Sequence, residues 1–411
     1  MSRPLPTGNF NLFENLSVKQ DNDLLQVIKN YDIDNNKTGY ILDVDIHIPK
    51  DKHDYLNGYC PCPELKTPTE DIVSEFNKNA YNASHNGKFK STKKLILDLS
   101  DKTNYIVHID NLKFYLQLGC VITKINRYVS FDHSKWLEKY ITYNTDMRKK
   151  AKNEFEKDFF KLMNNSCFGK TMENVKKRKN FKLFSDEKRI SKNLASSLTK
   201  NVYVYDENLF GFNKMKTKVI LDKPIYLGSC ILDLSKLLMY KFVYEYLYPK
   251  YGRENVIIYY TDTDSLIITI KTKNLYKDMV DDSDKYDLSE YAKTHPIYEI
   301  VNEKFNNDEI AIEKFMEKNK KVIGKMKDEI TNGIITEGFF LKSKCYYVKS
   351  TDIKKLEIKK NKGTNKCIVK DELKYNDYKD ALKADFKLEK DNICIRSIDH
   401  DIFTLNQKKT C

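Results

Sequence analysis

Two short apolar runs with a polar turn between them constrain the fold of this chain more than any other feature. Residues 256–260 and 266–270 are rich in isoleucine and tyrosine, and five polar residues, 261–265, separate them. β-Branched and aromatic runs on either side of a short polar stretch are typical of a β-hairpin. We therefore expect a hairpin over residues 256–270, with both strands partly buried.

The turn of this hairpin carries two acidic residues, Asp262 and Asp264. In an extended segment, residues two apart face the same side, and hard oxygen ligands suit Mg²⁺, with Mn²⁺ as an alternative. Two such ions, about 3.5–4 Å apart, can activate an attacking hydroxyl and stabilise a leaving pyrophosphate. An EF-hand is excluded because its sixth position would be Ile267 instead of glycine. A plain turn with aspartates as turn formers stays open.

Residues 134–173 contain the strongest helical pattern, with two stripes on opposite faces of one helix. The first stripe consists of Ala151, Phe155, Phe159, Leu162 and Ser166, and the second of Asn153, Lys157, Lys161, Asn165 and Phe168. An ammonium, an amide and an aromatic ring on one face, at Lys161, Asn165 and Phe168, suit a nucleotide. An ordinary amphipathic helix with a solvated polar side is the alternative.

The composition narrows the classes of partner. The 411 residues include 72 Lys+Arg and 59 Asp+Glu, a net charge of +13, together with 28 Tyr and 21 Phe. A basic chain rich in aromatic residues suits nucleic acid. The nine cysteines include no C-x₂-C pair, which excludes a zinc finger and a disulfide framework and favours a reducing, intracellular compartment. No apolar run approaches the ~18 residues of a membrane span, so we expect no membrane partner.

Three segments together resemble the motifs of family B DNA polymerases, in the order in which that family has them. They are Lys161-x₃-Asn165-Ser166-x-Phe168-Gly169, similar to motif B; Tyr260-x-Asp262-x-Asp264-Ser265, similar to motif C; and Lys344-Cys-Tyr346, similar to the K-x-Y motif. The sequence around motif B, residues 155–174, resembles the protein-primed branch most closely. That branch includes polymerases of Maverick/Polinton-type transposons, related viruses and linear plasmids.

The resemblance implies a role for each matched residue. Asp264 would be the main metal ligand and catalytic carboxylate, with Asp262 as a supporting acid. The residues implied to bind the incoming nucleotide are Lys161, Asn165, Phe168 and Lys149. The residues implied to contact DNA are Ser166, Gly169, Tyr260, Thr263, Lys344, Tyr346 and Lys362. Family members carry a tyrosine where this chain has Phe168, so stacking is kept and a phenol hydrogen bond is lost.

The resemblance also implies an α+β, right-hand polymerase fold with an antiparallel palm sheet, helical fingers, a small thumb and inserted subdomains. The implied divisions are palm at 1–79 and 223–375, a first insertion similar to terminal-protein regions at 80–135, fingers at 136–175, a second insertion at 176–222 and a partial thumb at 376–411. The implied partners are primer-template DNA, dNTPs and a terminal protein. The implied compartment is the nucleus or one associated with a virus or element, with a mitochondrial plasmid as an alternative.

The implied activity is DNA-directed DNA polymerisation by two-metal phosphoryl transfer. In the family, motif A, with its aspartate and a following Leu-Tyr, precedes a segment similar to residues 1–8, where this chain starts. We therefore expect that the motif A aspartate and the exonuclease domain are missing and that the chain alone has little polymerase activity. Asp43 and Asp45 lack the following Leu-Tyr. An inactive remnant that only binds DNA stays open, whereas a reverse-transcriptase-like palm is disfavoured because Thr263 separates the two aspartates.

Overall fold

A computed structural model describes residues 1–85, 89–383, 388–398 and 401–410 of the chain. The helices are α1 Val18–Asn30, α2 His53–Leu56, α3 Glu75–His85, α4 Ile109–Gln117, α5 Glu138–Lys150, α6 Glu154–Thr171, α7 Glu187–Leu194, α8 Ile225–Lys241, α9 Tyr248–Tyr251, α10 Leu275–Asp281, α11 Ile297–Lys304, α12 Glu309–Glu317 and α13 Tyr375–Ala381. Across the described ranges, no helix is long and apolar enough to cross a bilayer.

The strands are β1 Leu5–Glu14, β2 Thr38–His47, β3 Glu64–Lys66, β4 Lys94–Ile96, β5 Lys102–His108, β6 Val121–Ser134, β7 Asn180–Phe184, β8 Thr199–Asp206, β9 Leu209–Lys214, β10 Val256–Asp262, β11 Ser265–Ile270, β12 Ile335–Lys342, β13 Cys345–Ser350, β14 Glu357–Asn361, β15 Glu389–Ile398 and β16 Asp401–Thr410. The sheets have the orders β1-β6-β2-β5, β3-β4, β7-β9-β8, β10-β11, β12-β13-β14 and β15-β16. Their pairings are antiparallel, which agrees with the mixed helix-and-sheet class expected from the sequence.

The chain divides into two compact units. The first consists of 1–164, 229–362 and 374–383, and the second of 165–228, 363–373, 388–398 and 401–410. The division falls inside α6, between Asn164 and Asn165. In the second unit, β7, β9 and β8 form one sheet and β15 and β16 form a hairpin. The antiparallel pairing of β15 with β16 satisfies the backbone groups that face each other along the two strands.

The core of the first unit lies between the four-stranded sheet and the helices that pack on it. Leu42, Val44 and Ile46 alternate along β2 and are buried, as expected for a strand with one face in the core. Their core also contains Leu112 of α4 and Leu247, which follows α8. Helix α8 continues into a π-helical segment, Phe242–Leu247.

The helical region 134–173 is two helices instead of one, α5 and α6. The break comes where Asn153 caps α6: its Oδ1 accepts from the Glu156 backbone N–H at 2.8 Å, and Glu156 Oε2 accepts from the Lys152 N–H at 2.9 Å. Reciprocal capping of this kind satisfies N–H groups at a helix start. Ala151 therefore lies outside the helix that carries the rest of the predicted stripe.

The His108 side chain makes the stability of the first unit sensitive to acid. His108 is buried and precedes α4, where its Nδ1 accepts from the Asp110 backbone N–H at 3.2 Å. Burial, followed by the positive charges of His133 and Arg3, lowers the pKa of the imidazole from 6.5 to about 3. The folded state holds His108 neutral. Its contribution to the free energy of unfolding is therefore complete above pH 6.5 and is lost as the pH falls from 6.5 towards 3.

We expect the His108→Asn variant to lose less stability in mild acid than the wild type does. Asparagine keeps a capping acceptor but does not titrate. Between pH 7.5 and 5.0, the wild-type free energy of unfolding should fall by roughly 2 kcal/mol more than that of the variant, because one pKa unit corresponds to about 1.36 kcal/mol. Urea unfolding at the two pH values measures this difference, and equal losses would contradict it.

Candidate active site

The predicted hairpin is formed by β10 and β11, and the acidic pair lies at its tip. Asp262 ends β10 opposite Ser265, the first residue of β11. Thr263 has a φ of 58°, in the left-handed region, and the Asp264 N–H donates to the Asp262 carbonyl. The chain is therefore not extended from Asp262 through Asp264. The sequence argument assumed an extended segment when it placed both carboxylates on one side, and that assumption was wrong. Asp264 is exposed in the turn, whereas Asp262 is partly buried at the strand end.

A second hairpin, β12 and β13, brings Lys344 to the same place. Ser343 and Lys344 form its turn. Lys344 Nζ lies 3.1 Å from Asp262 Oδ2, and the Lys344 N–H donates to the Tyr260 hydroxyl at 2.8 Å. The Lys344 carbonyl accepts from the Lys362 N–H at 2.9 Å. Residues from motif C and K-x-Y that are distant in sequence thus meet at one point in the first unit, with Lys362 beside them.

An aromatic cluster packs beneath this contact. The ring centroids of Tyr260 and Tyr346 lie 4.8 Å apart. Phe340 stacks on Tyr260 with centroids 6.0 Å apart and lies 6.1 Å from Tyr346. Burial, followed by the charges of Tyr260 and Asp262, raises the pKa of the Tyr346 phenol, so this hydroxyl stays protonated and able to donate a hydrogen bond near neutral pH.

Phe340 is a site residue that the sequence reasoning missed. It pairs directly with Tyr346 across the β12–β13 ladder, which explains why their rings share a face of the hairpin. No signal for this pairing is present in the sequence, because a two-residue turn at Ser343 and Lys344 would place residue 341, not 340, opposite residue 346. An irregularity in the ladder between Phe340 and Lys342 brings Phe340 opposite Tyr346.

The predicted motif B residues all lie on α6. Lys161, Asn165 and Phe168 follow the i, i+4, i+7 spacing of one helical face. Lys161 and Asn165 are exposed and Phe168 is half-buried. Two further predicted residues, Ser166 and Gly169, are exposed on the same helix, and no heavy atom lies within 4 Å of a Cβ built on Gly169. The open space at Gly169 leaves room for the close approach of a ligand.

Lys149 lies on α5, so it does not share the α6 face with Lys161. Its Nζ is 3.6 Å from Asp146 Oδ1, a contact within one turn of its own helix. In the described parts of the first unit, Lys161 makes no hydrogen bond or ion pair with the two hairpins. The structure thus joins motif C with the K-x-Y motif and places motif B on a helix of its own.

Asp43 and Asp45, which we did not expect to replace motif A, are bound within the four-stranded sheet. Asp43 pairs with Arg127 Nε at 3.0 Å, and Asn126 donates to Asp45 at 3.0 Å. The hydrogen bond from the Asn104 backbone N–H, followed by that from Asn126, lowers the pKa of Asp45. Both carboxylates therefore have partners that account for their position.

The acidic pair suits a divalent cation only in part. Mg²⁺ is usually held by one or two carboxylates together with water and substrate phosphates, which matches Asp262 and Asp264. The ammonium of Lys344 shows that Asp262 can pair with a cation. Across the described residues, no group of three His, Cys, Asp or Glu side chains is arranged to hold a metal ion. The two carboxylates therefore suit an ion that takes its remaining ligands from water and a phosphate.

No protein-family model matches the chain, and no curated protein matches it in sequence. Solved structures do match. The orthorhombic crystal form of phi29 DNA polymerase superposes with a TM-score of 0.54 at 13% identity, and its ternary complex with primer-template DNA and incoming nucleotides with 0.53 at 15%. The binary complex with primer-template DNA gives 0.52 at 13%. At such low identity the likeness establishes the fold alone, which is similar to part of the fold of phi29 DNA polymerase.

Each of these matches covers 100% of this chain and 55% of the phi29 polymerase chain. The chain thus spans about half the length of the solved structures that it resembles. What the whole phi29 protein binds and does is not transferred by the fold match.

Proposed function

We propose that this chain carries the core of a protein-primed DNA polymerase, which adds dNTPs to a primer as directed by a DNA template. The observation that supports this most is the meeting of two motifs that the sequence predicted independently. Lys344 and Tyr260 are 84 residues apart and are joined by a hydrogen bond, while Lys344 also pairs with Asp262. The likeness of the fold to phi29 DNA polymerase supports the same class of activity.

In this proposal, each group at the site has one task. Asp262 and Asp264 would hold Mg²⁺ or Mn²⁺, which when bound neutralises charge on the transferring phosphate and the pyrophosphate. Lys161 would bind the triphosphate, with Lys149 as a second contact. Phe168 would stack on the nascent base pair, with Asn165 beside it.

The remaining residues would hold the nucleic acid. Ser166 and Gly169 would border the template, and Lys344 and Tyr346 would hold the primer end, with Lys362 beside them. A primer 3′ hydroxyl, or a hydroxyl of a terminal protein at initiation, would attack the α-phosphorus of the dNTP in line.

A second candidate function is binding of DNA without catalysis. It is favoured by one observation, that across the described residues no group of three His, Cys, Asp or Glu side chains is arranged to hold a metal ion. Two-metal catalysis needs enough ligands to hold both ions. The two candidates differ in whether the bound complex recognises the next correct nucleotide.

We expect a primed duplex bound to this chain to be stabilised by the dNTP that matches the template, and not by the other three. Only a formed nucleotide site with a template base beside it can make this distinction, whereas the basic surface of a remnant binds DNA whatever dNTP is present. Fluorescence anisotropy of a labelled primed duplex measures it, in Ca²⁺ so that no turnover interferes. We expect at least a fivefold tighter complex with the matching dNTP.

The matched control is a template that differs only in its next base, which should transfer the preference to the complementary dNTP. Equal affinities with all four dNTPs would favour the remnant. No binding of the duplex at all would contradict both candidate functions.

A further inference from the structure

The ion pair between Lys344 and Asp262 occupies a carboxylate that the proposed function assigns to a metal ion. Lys344 Nζ lies 3.1 Å from Asp262 Oδ2, and the side chains are 50% and 33% exposed. A carboxylate oxygen that holds an ammonium has less negative potential to offer a divalent cation, and the two positive charges repel each other at such distances. Lys344 and a cation at Asp262 are therefore competitors.

The backbone of Lys344 is fixed although its side chain is half-exposed. Its N–H donates to the Tyr260 hydroxyl at 2.8 Å, and its carbonyl accepts from the Lys362 N–H at 2.9 Å. The first bond holds the β12–β13 turn against the β10–β11 hairpin, and the second holds it to the residue that follows β14, whatever the ammonium does. The four-carbon stem can rotate without moving the turn, since lysine is a flexible side chain.

The pair itself is weak enough to exchange. Exposed ion pairs between lysine and a carboxylate shift an equilibrium by about fivefold at most. A DNA phosphate offers an ammonium more negative charge than one carboxylate oxygen does, and release of counterions favours its binding further. A strand that passes the β12–β13 turn can thus draw the Lys344 ammonium away from Asp262.

We propose that Lys344 is an exchangeable counter-ion that couples the binding of DNA to the binding of a divalent cation. Without DNA its ammonium neutralises Asp262, and with DNA it moves to a phosphate and leaves Asp262 to the cation. The inference rests on the proposed function, because it requires both ligands at one site. By linkage, DNA then raises the affinity for the cation and the cation raises the affinity for DNA by the same factor.

Binding of Mn²⁺ tests this coupling without any activity assay. The free Mn²⁺ signal in electron paramagnetic resonance gives the affinity of the full chain with and without a primed duplex. Without DNA, we expect Lys344→Met to bind Mn²⁺ about fivefold more tightly than the wild type. Adding the duplex should raise the wild-type affinity by a similar factor and leave that of Lys344→Met unchanged.

Three further variants make the result specific. Lys342→Met removes an equal charge from the same hairpin, at the end of β12, and should bind Mn²⁺ as the wild type does. Lys344→Gln repeats the test with a polar side chain in case methionine disturbs the turn. Asp262→Asn removes the carboxylate on which the inference depends, and a titration of the duplex without protein supplies the background of Mn²⁺ bound by DNA alone.

Without DNA, equal Mn²⁺ affinities of the wild type and both Lys344 variants would overturn the inference. If Asp262→Asn loses Mn²⁺ binding in the same experiment, the assignment of Asp262 as a metal ligand is still supported. An unchanged affinity in Asp262→Asn would overturn the inference together with the metal assignment. Equal gains in Lys342→Met and Lys344→Met would also overturn it, because net charge would then explain the effect. Failure of the proposed function is read separately, from the dNTP preference of the duplex complex.

Discussion

The Asp264→Asn variant is expected to bind Mn²⁺ at least tenfold more weakly than the wild type, a loss of about 1.4 kcal/mol or more. Asp264 is exposed in the hairpin turn. Within the described part of the chain, its carboxylate makes no hydrogen bond or ion pair, whereas the Asp262 carboxylate forms an ion pair with Lys344. Asparagine keeps the size and one oxygen but removes the charge, which is the larger part of what a carboxylate offers to a divalent cation.

Two control variants and one further readout accompany the Asp264 measurement. Asp264→Glu keeps the charge on a longer stem and should recover part of the affinity. Asp281→Asn removes one charge at the end of α10, away from the acidic pair in sequence and on a different element, and should leave Mn²⁺ binding unchanged. Any templated incorporation of dNTP by the chain should fall to background in Asp264→Asn. An affinity within twofold of the wild type would contradict the assignment of Asp264 as a metal ligand.

The Tyr347→Ala variant is expected to lose about 3–5 kcal/mol of unfolding free energy. Tyr347 is 1% exposed, and its ring centroid lies within 5.7 Å of those of Tyr375 and Tyr378, which are both on α13. Its hydroxyl donates to Glu357 on β14 at 2.7 Å. Truncation would leave a cavity where β13, β14 and α13 meet and would deprive the K-x-Y hairpin of its support.

Urea unfolding measures the loss, and two variants separate its causes. Tyr347→Phe removes only the hydrogen bond to Glu357 and should cost about 0.5–1.5 kcal/mol. Tyr143→Ala removes a ring that is 61% exposed and should change the stability by less than about 0.5 kcal/mol. A cost below about 1 kcal/mol for Tyr347→Ala would show that the hairpin does not depend on this packing.

The helical region around motif B shows how far periodicity could go. The spacing of Lys161, Asn165 and Phe168 predicted that they share a helical face, and all three lie on α6. The same periodicity wrongly predicted one helix that includes Ala151, because apolar residues can keep the helical spacing across a short break between two helices. The capping pair Asn153 and Glu156 marked the true start of α6, and such a local signal decides a boundary that periodicity does not see.

At the motif C hairpin, the sequence predicted the strands but not the conformation of the turn. Its strands were predicted correctly from two apolar runs, because β-branched residues at this spacing have few other ways to be buried. The turn was not. The left-handed conformation of Thr263 moves Asp264 off the strand, and a threonine gives no sign of it, since β-branched residues rarely have positive φ.

The motifs, the hairpin strands and the helical face of motif B could be predicted from the sequence, because they depend on residues close together along the chain. The long-range contacts came from the tertiary structure: Lys344 pairs with Asp262, Tyr260 packs on Tyr346, and the ring of Phe340 lies near both. These contacts join two hairpins whose approach is fixed by burial elsewhere, at residues such as Tyr347. Local sequence patterns do not indicate such long-range packing. The competition between Lys344 and a cation for Asp262 could therefore be inferred only from the ion pair in the structure.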